Sequence, residues 1–148
     1  MVATPIGNLR DLSFRALDIL NEVDLILCED TRKSRILFNE FNITTKYNSL
    51  HEFTSFNNIE KYVSFLEEGN SIALISDAGT PLISDPGFEI VKIAKEINIF
   101  VDPLPGPSSG ISALVGTGLK IDIFIFEGFP PRKKQELEKN LKCYLYEE

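Results

Sequence analysis

Ile72-Ala73-Leu74-Ile75-Ser76-Asp77-Ala78-Gly79-Thr80-Pro81 is the stretch on which the fold turns. Four apolar residues give way at once to Ser, Asp, Gly, Thr and Pro, so a short strand runs into a stiff, turn-rich loop. Upstream, Leu25-Ile26-Leu27-Cys28 repeats the pattern and hands over to Glu29-Asp30-Thr31-Arg32. Further apolar runs stand at Ile99-Phe100-Val101 and Ile123-Phe124-Ile125-Phe126, and Met1-Val2-Ala3 reads as the stub of a clipped first strand. Between the runs lie segments with helical spacing. Phe14, Leu17, Ile19 and Leu20 form one stripe, and Phe56, Ile59, Val63 and Leu66 form another that stops at Gly69. Pro86 is expected to open a further helix with Ile90, Val91, Ala94 and Ile97 on its apolar face, since proline at the first helical position loses no intrahelical bond. Residues 108–115 also read as a helix, and 133–141 as a charged one. Strands alternating with helices predict an α/β fold, an open and mostly parallel sheet with helices on both faces.

The 148 residues, 43% hydrophobic and 25% charged, suit a globular domain and exclude collagen, coiled coil, disulfide scaffolds and long disorder. With 15 Lys+Arg against 22 Asp+Glu the net charge is -7, which works against nonspecific coating of nucleic acid but leaves room for a local basic patch that reads RNA. Two cysteines, Cys28 and Cys143, behind no charged-then-apolar leader predict a reducing, cytoplasmic home. No apolar run approaches the ~18 residues of a membrane span, so no membrane partner is expected. Composition shifts near Gly116-Thr117-Gly118. Residues 1–118 read as one α/β domain and 119–148 as the opening of a second, incomplete domain, too short to close a core of its own.

In an open α/β sheet, ligands bind beyond the carboxyl ends of the strands. Four loops of unusual composition stand at such ends: Thr4-Pro5-Ile6-Gly7-Asn8-Leu9, Glu29-Asp30-Thr31-Arg32, the loop from Ser76 to Pro81, and Pro103-Leu104-Pro105-Gly106-Pro107-Ser108-Ser109-Gly110. Glycine and proline at this density let backbone amides approach a ligand while the loop stays stiff. Asp30 could bind a ligand or cap the helix that begins near Arg32. Asp77 has no nearby helix to cap, which favours a binding role. Arg32, Lys33 and Arg35 form either a solvated face or a phosphate-contacting edge. His51, the only histidine, is either a structural donor or a base. Neither GxGxxG nor GxxxxGK[ST] occurs, so a Rossmann fingerprint and a P-loop are unsupported, and no Cys/His zinc set is present.

Taken as a set, Val2-Ala3-Thr4-Pro5-Ile6-Gly7-Asn8-Leu9, Cys28-Glu29-Asp30-Thr31-Arg32, Ser76-Asp77-Ala78-Gly79-Thr80-Pro81-Leu82-Ile83-Ser84-Asp85-Pro86-Gly87 and Pro103-Leu104-Pro105-Gly106-Pro107-Ser108 closely resemble the bacterial small-subunit ribosomal RNA cytidine 2′-O-methyltransferases of the tetrapyrrole methylase superfamily. The likeness extends through Gly118-Leu119 to Phe126-Glu127-Gly128-Phe129-Pro130-Pro131. It implies a two-domain enzyme, commonly a homodimer, that holds S-adenosyl-L-methionine in the cleft between its domains. Carried over by position, Ile6, Asp77, Ala78, Gly79, Thr80, Ser108 and Ser109 would contact that cofactor. Family members have His-acid-His-Asn where this chain has His51-Glu52-Phe53-Thr54, and family chains are much longer.

A ribose 2′-hydroxyl is a weak nucleophile and would gain from a group that accepts its proton; Glu29, Asp30 and His51 are the candidates. Arg32 and Lys33 would meet phosphates of small-subunit ribosomal RNA, free or within the 30S subunit, and no metal is required. Rival readings are a tetrapyrrole or diphthine-type methyltransferase on the same fold, or a noncatalytic remnant that serves as a binding module.

Overall fold

The apolar runs at Leu25–Cys28 and Ile72–Ile75 both become strands. In the computed structural model, which describes residues 1–51 and 54–144, β1 (Leu25–Cys28) and β3 (Ile72–Ile75) pair in parallel, with Ile26 opposite Ala73 and Leu27 opposite Leu74. A short third strand, β2 (Tyr47–Ser49), pairs in parallel on the other side of β1, so the order is β2-β1-β3. The helices are α1 (Phe14–Glu22), α2 (Thr31–Glu40), α3 (Phe56–Glu67), α4 (Phe88–Glu96), α5 (Ser109–Gly116) and α6 (Lys134–Tyr144), with a 3-10 turn at Leu9–Asp11.

Alternation along the strands sorts the core into two layers. Ile26, Cys28, Ala73 and Ile75 pack with Ala16 and Leu20 of α1 and with Leu37 and Phe38 of α2. Leu27 and Leu74 point the other way, onto Ile59 and Val63 of α3 and Ile90 of α4. Helices therefore cover both faces of a parallel sheet, as the sequence predicts. Leu20, Ile26 and Leu27 are wholly buried, each worth about 1.5–3 kcal/mol of removal from water. The buried Cys28 thiol donates to the Asn48 carbonyl at 3.4 Å, tying β1 to β2, and burial raises its pKa.

Several expectations need correction. Ile99-Phe100-Val101 is not a strand: Phe100 is exposed, and the pairing occurs farther on, where the Leu104 N–H donates to the Met1 carbonyl at 2.9 Å. The Val2 N–H in turn donates to the Leu74 carbonyl of β3 at 2.9 Å, and single bridges join Val2 to Leu104 and Thr4 to Gly79. Residues 123–126 form no strand either. Their composition favours one, but a strand needs a neighbour for its backbone groups, and none stands beside them among the described residues. The helix expected from Pro86 starts at Phe88 instead, because Gly87 holds a left-handed φ of 119° that no helical turn accepts. Phe14 and Phe56, counted in apolar stripes, open α1 and α3 and face solvent; Ile97 falls just past α4, also exposed.

Candidate functional site

From β1 the chain leaves into α2 on one face of the sheet; from β3 it leaves towards α4 on the other. Two adjacent parallel strands whose exits diverge create a crevice at their carboxyl ends, the switch point where open α/β sheets hold ligands. Glu29-Asp30 and Ser76-Asp77 are the residues at those two exits.

The exits clasp each other. The Asp30 N–H donates to Asp77 Oδ1 at 3.0 Å, and the Asp77 N–H donates to Glu29 Oε2 at 3.4 Å. Asp77 Oδ2 accepts from Lys33 Nζ at 2.6 Å, so both oxygens of Asp77 are engaged. Asp30 takes up the capping role that the sequence offered. It is the N-cap of α2, accepting from the Arg32 N–H at 2.9 Å, and it also takes Arg32 Nε at 3.0 Å and Nη2 at 2.7 Å. Those bonds hold its carboxyl well below the usual carboxylate range. The ammonium of Lys33 is in turn pushed up by Asp77.

A fourth acid joins the cluster. Burial raises the carboxyl of Asp85, with Glu29 and Asp77 adding to the effect while a bond from Ser76 opposes it. Asp85 was not among the sequence candidates; it stands in Ser84-Asp85-Pro86-Gly87, a motif quoted for the resemblance but read only as the start of a helix. Leu82 and Ser84 both hold left-handed φ values, 72° and 68°, in the segment that carries it.

Three of the unusual loops gather beside the clasp. Thr4 and Gly79 exchange two backbone bonds of 2.9 Å, and Thr4 Oγ1 donates to the Ser76 carbonyl at 3.1 Å. Thr80 Oγ1 donates to the Pro107 carbonyl at 3.2 Å. Gly79 is buried with φ at 84°, and a Cβ there would lie 3.4 Å from Ile6 Cγ2 and 3.6 Å from the Pro107 carbonyl oxygen. Ile6, Gly79 and Thr80 thus share one place with Pro107, while Ala78 is exposed beside them. Ser108 is the N-cap of α5 and makes no side-chain capping bond; Ser109 is the first helical residue and is exposed.

His51 follows β2 at the same end of the sheet, where the Leu50 N–H donates to the Cys28 carbonyl at 2.8 Å. Its backbone N–H is held by Thr54 Oγ1 at 2.8 Å, and its ring forms no hydrogen bond with the clasp residues among the described residues. Glu52 and Phe53 lie outside the described residues. Of the three cations at the start of α2, Arg32 and Lys33 are each committed to a carboxylate, whereas exposed Arg35 forms no ion pair among the described residues. A groove of about 760 Å³ opens at the opposite end of the strands beside Asp24, Lys46 and Lys61 and is not part of this arrangement.

A family model described as tetrapyrrole (corrin/porphyrin) methylases matches residues 1–142. Among curated relatives, "Ribosomal RNA small subunit methyltransferase I" of Escherichia coli is 46% identical over 143 residues, 97% of this chain and 50% of that protein. The protein of the same name from Pseudomonas aeruginosa is 52% identical over 133 residues, covering 90% and 47% of the two chains. Among solved structures, uroporphyrin-III-C-methyltransferase from Thermus thermophilus aligns over 80% of this chain and 50% of its own, with a TM-score of 0.57 and 19% identity, a likeness of fold. The chain spans about half the length of the curated relatives it matches.

Proposed function

Because the chain belongs to the tetrapyrrole methylase family, we propose that it forms one wall of an S-adenosyl-L-methionine site in an enzyme that methylates the 2′-hydroxyl of a cytidine ribose in small-subunit ribosomal RNA. The observation that carries this reading is the gathering of three motif-bearing loops around the clasped exits of β1 and β3, in a chain about half identical to relatives named for that RNA.

The residues present suit the methyl donor. Its sulfonium and ammonium are cationic, and the crevice presents the carboxylates of Glu29, Asp77 and Asp85. Its adenosine needs a close backbone approach, and Gly79 supplies one beside Ile6. Bound there, the donor brings an already activated methyl group, which leaves the protein to align the acceptor and exclude water. Ile6, the Asp77–Thr80 loop and the Ser108-Ser109 pair hold the donor in this reading. For the proton of the 2′-hydroxyl, Glu29 and His51 remain the candidates. Asp30 is set aside, since Arg32 stabilises its charged form and leaves it a poor acceptor. Small-subunit RNA, free or in the 30S subunit, is the partner, met along α2, and the assembled enzyme is a cytoplasmic homodimer.

The domain reading belongs here as well. No buried residue lies beyond Leu104 among the described residues, which supports 1–118 as the domain that holds the core and 119–148 as the opening of a second. No helix among them is long and apolar enough to cross a membrane.

The test is methyl transfer by the protein expressed from its native reading frame. Label from S-adenosyl-L-methionine should appear on ribose in small-subunit RNA, and 2′-deoxycytidine at the target should abolish transfer. Label on a base, a tetrapyrrole or a protein would replace the substrate while leaving the fold standing.

A further inference from the structure

The side chain assigned above to the methyl donor, Asp77, and one of those facing RNA, Lys33, are bonded to each other. Asp77 is engaged on both oxygens: Oδ1 by the Asp30 N–H and Oδ2 by Lys33 Nζ at 2.6 Å. Neither Lys33 nor Asp77 can serve a ligand fully while this pair is closed.

The neighbouring cation behaves differently. Arg32 is held by Asp30 through two parallel bonds from Nε and Nη2, so freeing its guanidinium would undo two bonds at once, on a carboxylate that also caps α2 through the Arg32 N–H. Lys33 is held at a single point on a flexible stem and is mostly exposed, at 64% of its side chain. An arriving phosphate can therefore capture Lys33 far more readily than Arg32.

Resting on the reading of the site given above, we propose that the Lys33–Asp77 ion pair couples RNA binding to methyl-donor binding: each ligand opens the same pair, so whichever arrives second finds it already open. Coupling of this kind is reciprocal, since linkage requires each ligand to tighten the other by the same factor. Its size is bounded by the strength of the pair. An exposed ion pair is weak, so each ligand should tighten the other only modestly, roughly 1.4- to 5-fold.

Calorimetry on the whole protein with S-adenosyl-L-methionine, with and without a saturating short cytidine-containing RNA, measures that factor directly. The wild type should show the tightening, Lys33→Met should bind both ligands with a ratio of one, and Lys33→Arg, which can re-form the pair, should restore it. A purely packing role for Lys33 would leave the ratio unchanged in Lys33→Met, and that result overturns the inference. So does a ratio of one in the wild type when both ligands bind. If the methyl donor fails to bind at all, the reading of the site fails and the inference with it, an outcome distinct from binding without coupling. A second readout needs no methyl donor: side-chain NMR signals of Lys33 and Asp77 should move together as the RNA is added. An RNA that leaves both signals in place, whether it binds elsewhere or not at all, also overturns the proposal.

Discussion

Gly87 occupies a position that no side chain can share. A Cβ there would stand 2.5 Å from Leu74 Cδ2, on a backbone with φ of 119°. Gly87→Ala should therefore lower stability by about 1–3 kcal/mol through overpacking, with backbone strain added, read as a fall in the urea midpoint. Asp30 and Asp85 should respond to pH in opposite senses. The carboxyl of Asp30 is held down by Arg32, so its contribution to stability is full above the ordinary carboxylate range and fades as pH falls below ~4. Acid titration of the urea midpoint should be flatter in Asp30→Asn than in the wild type. Asp85, raised by burial, becomes a liability as it ionises with rising pH, so Asp85→Asn should raise the midpoint at neutral pH. At this scale the sequence identified the residues but not which of them meet. Glu29, Asp30, Arg32, Lys33 and Asp77 were all legible as candidates, because strand-end loops announce themselves by composition. That Asp77 would be occupied by Lys33 and by the Asp30 N–H depends on distances between chain segments more than forty residues apart, which no local pattern encodes.

The elements divide by how they earn their hydrogen bonds and their burial. β1 and β3 were legible because a strand covered on both faces must be apolar throughout. β2 was not, since Tyr47-Asn48-Ser49 is an edge strand whose side chains are half-buried or exposed and whose identity comes from pairing with β1. The reverse error explains residues 123–126, apolar and β-branched yet unpaired. Helix stripes were right in phase but too wide at their first residues. Leu27→Ala, which empties a wholly buried site in the central strand, should cost about 2–5 kcal/mol in chemical denaturation. Phe14→Ser, at a residue 89% exposed, should stay within about 0.5 kcal/mol. Comparable losses at the two positions would mean that the facing of α1 is wrong. The cap of α1 is also testable: Ser13 Oγ accepts from the Ala16 N–H at 3.1 Å, and Ser13→Ala should cost ~0.5–2 kcal/mol.

Over the whole molecule, a net charge of -7 means that any RNA contact depends on few cations, and the structure ranks them. Arg35→Ala should reduce the slope of log affinity against log salt by about one, whereas Arg32→Ala should reduce it less, because Arg32 is already neutralised by Asp30. Equal slopes for the two variants would contradict that ranking. The layered core, with α1 and α2 on one side and α3 and α4 on the other, sets this arrangement by sending the two strand exits apart. The same layering gives the two cysteines unequal lives. Cys143 is open to solvent, so a thiol reagent should reach it without any opening of the fold. Cys28 is sealed beneath α1 and α2, with its sulfhydryl bonded across to β2, and can be labelled only in the moments when that packing opens. Its labelling lag thus becomes a stopwatch for the opening of that core layer, readable by mass spectrometry without altering a single residue.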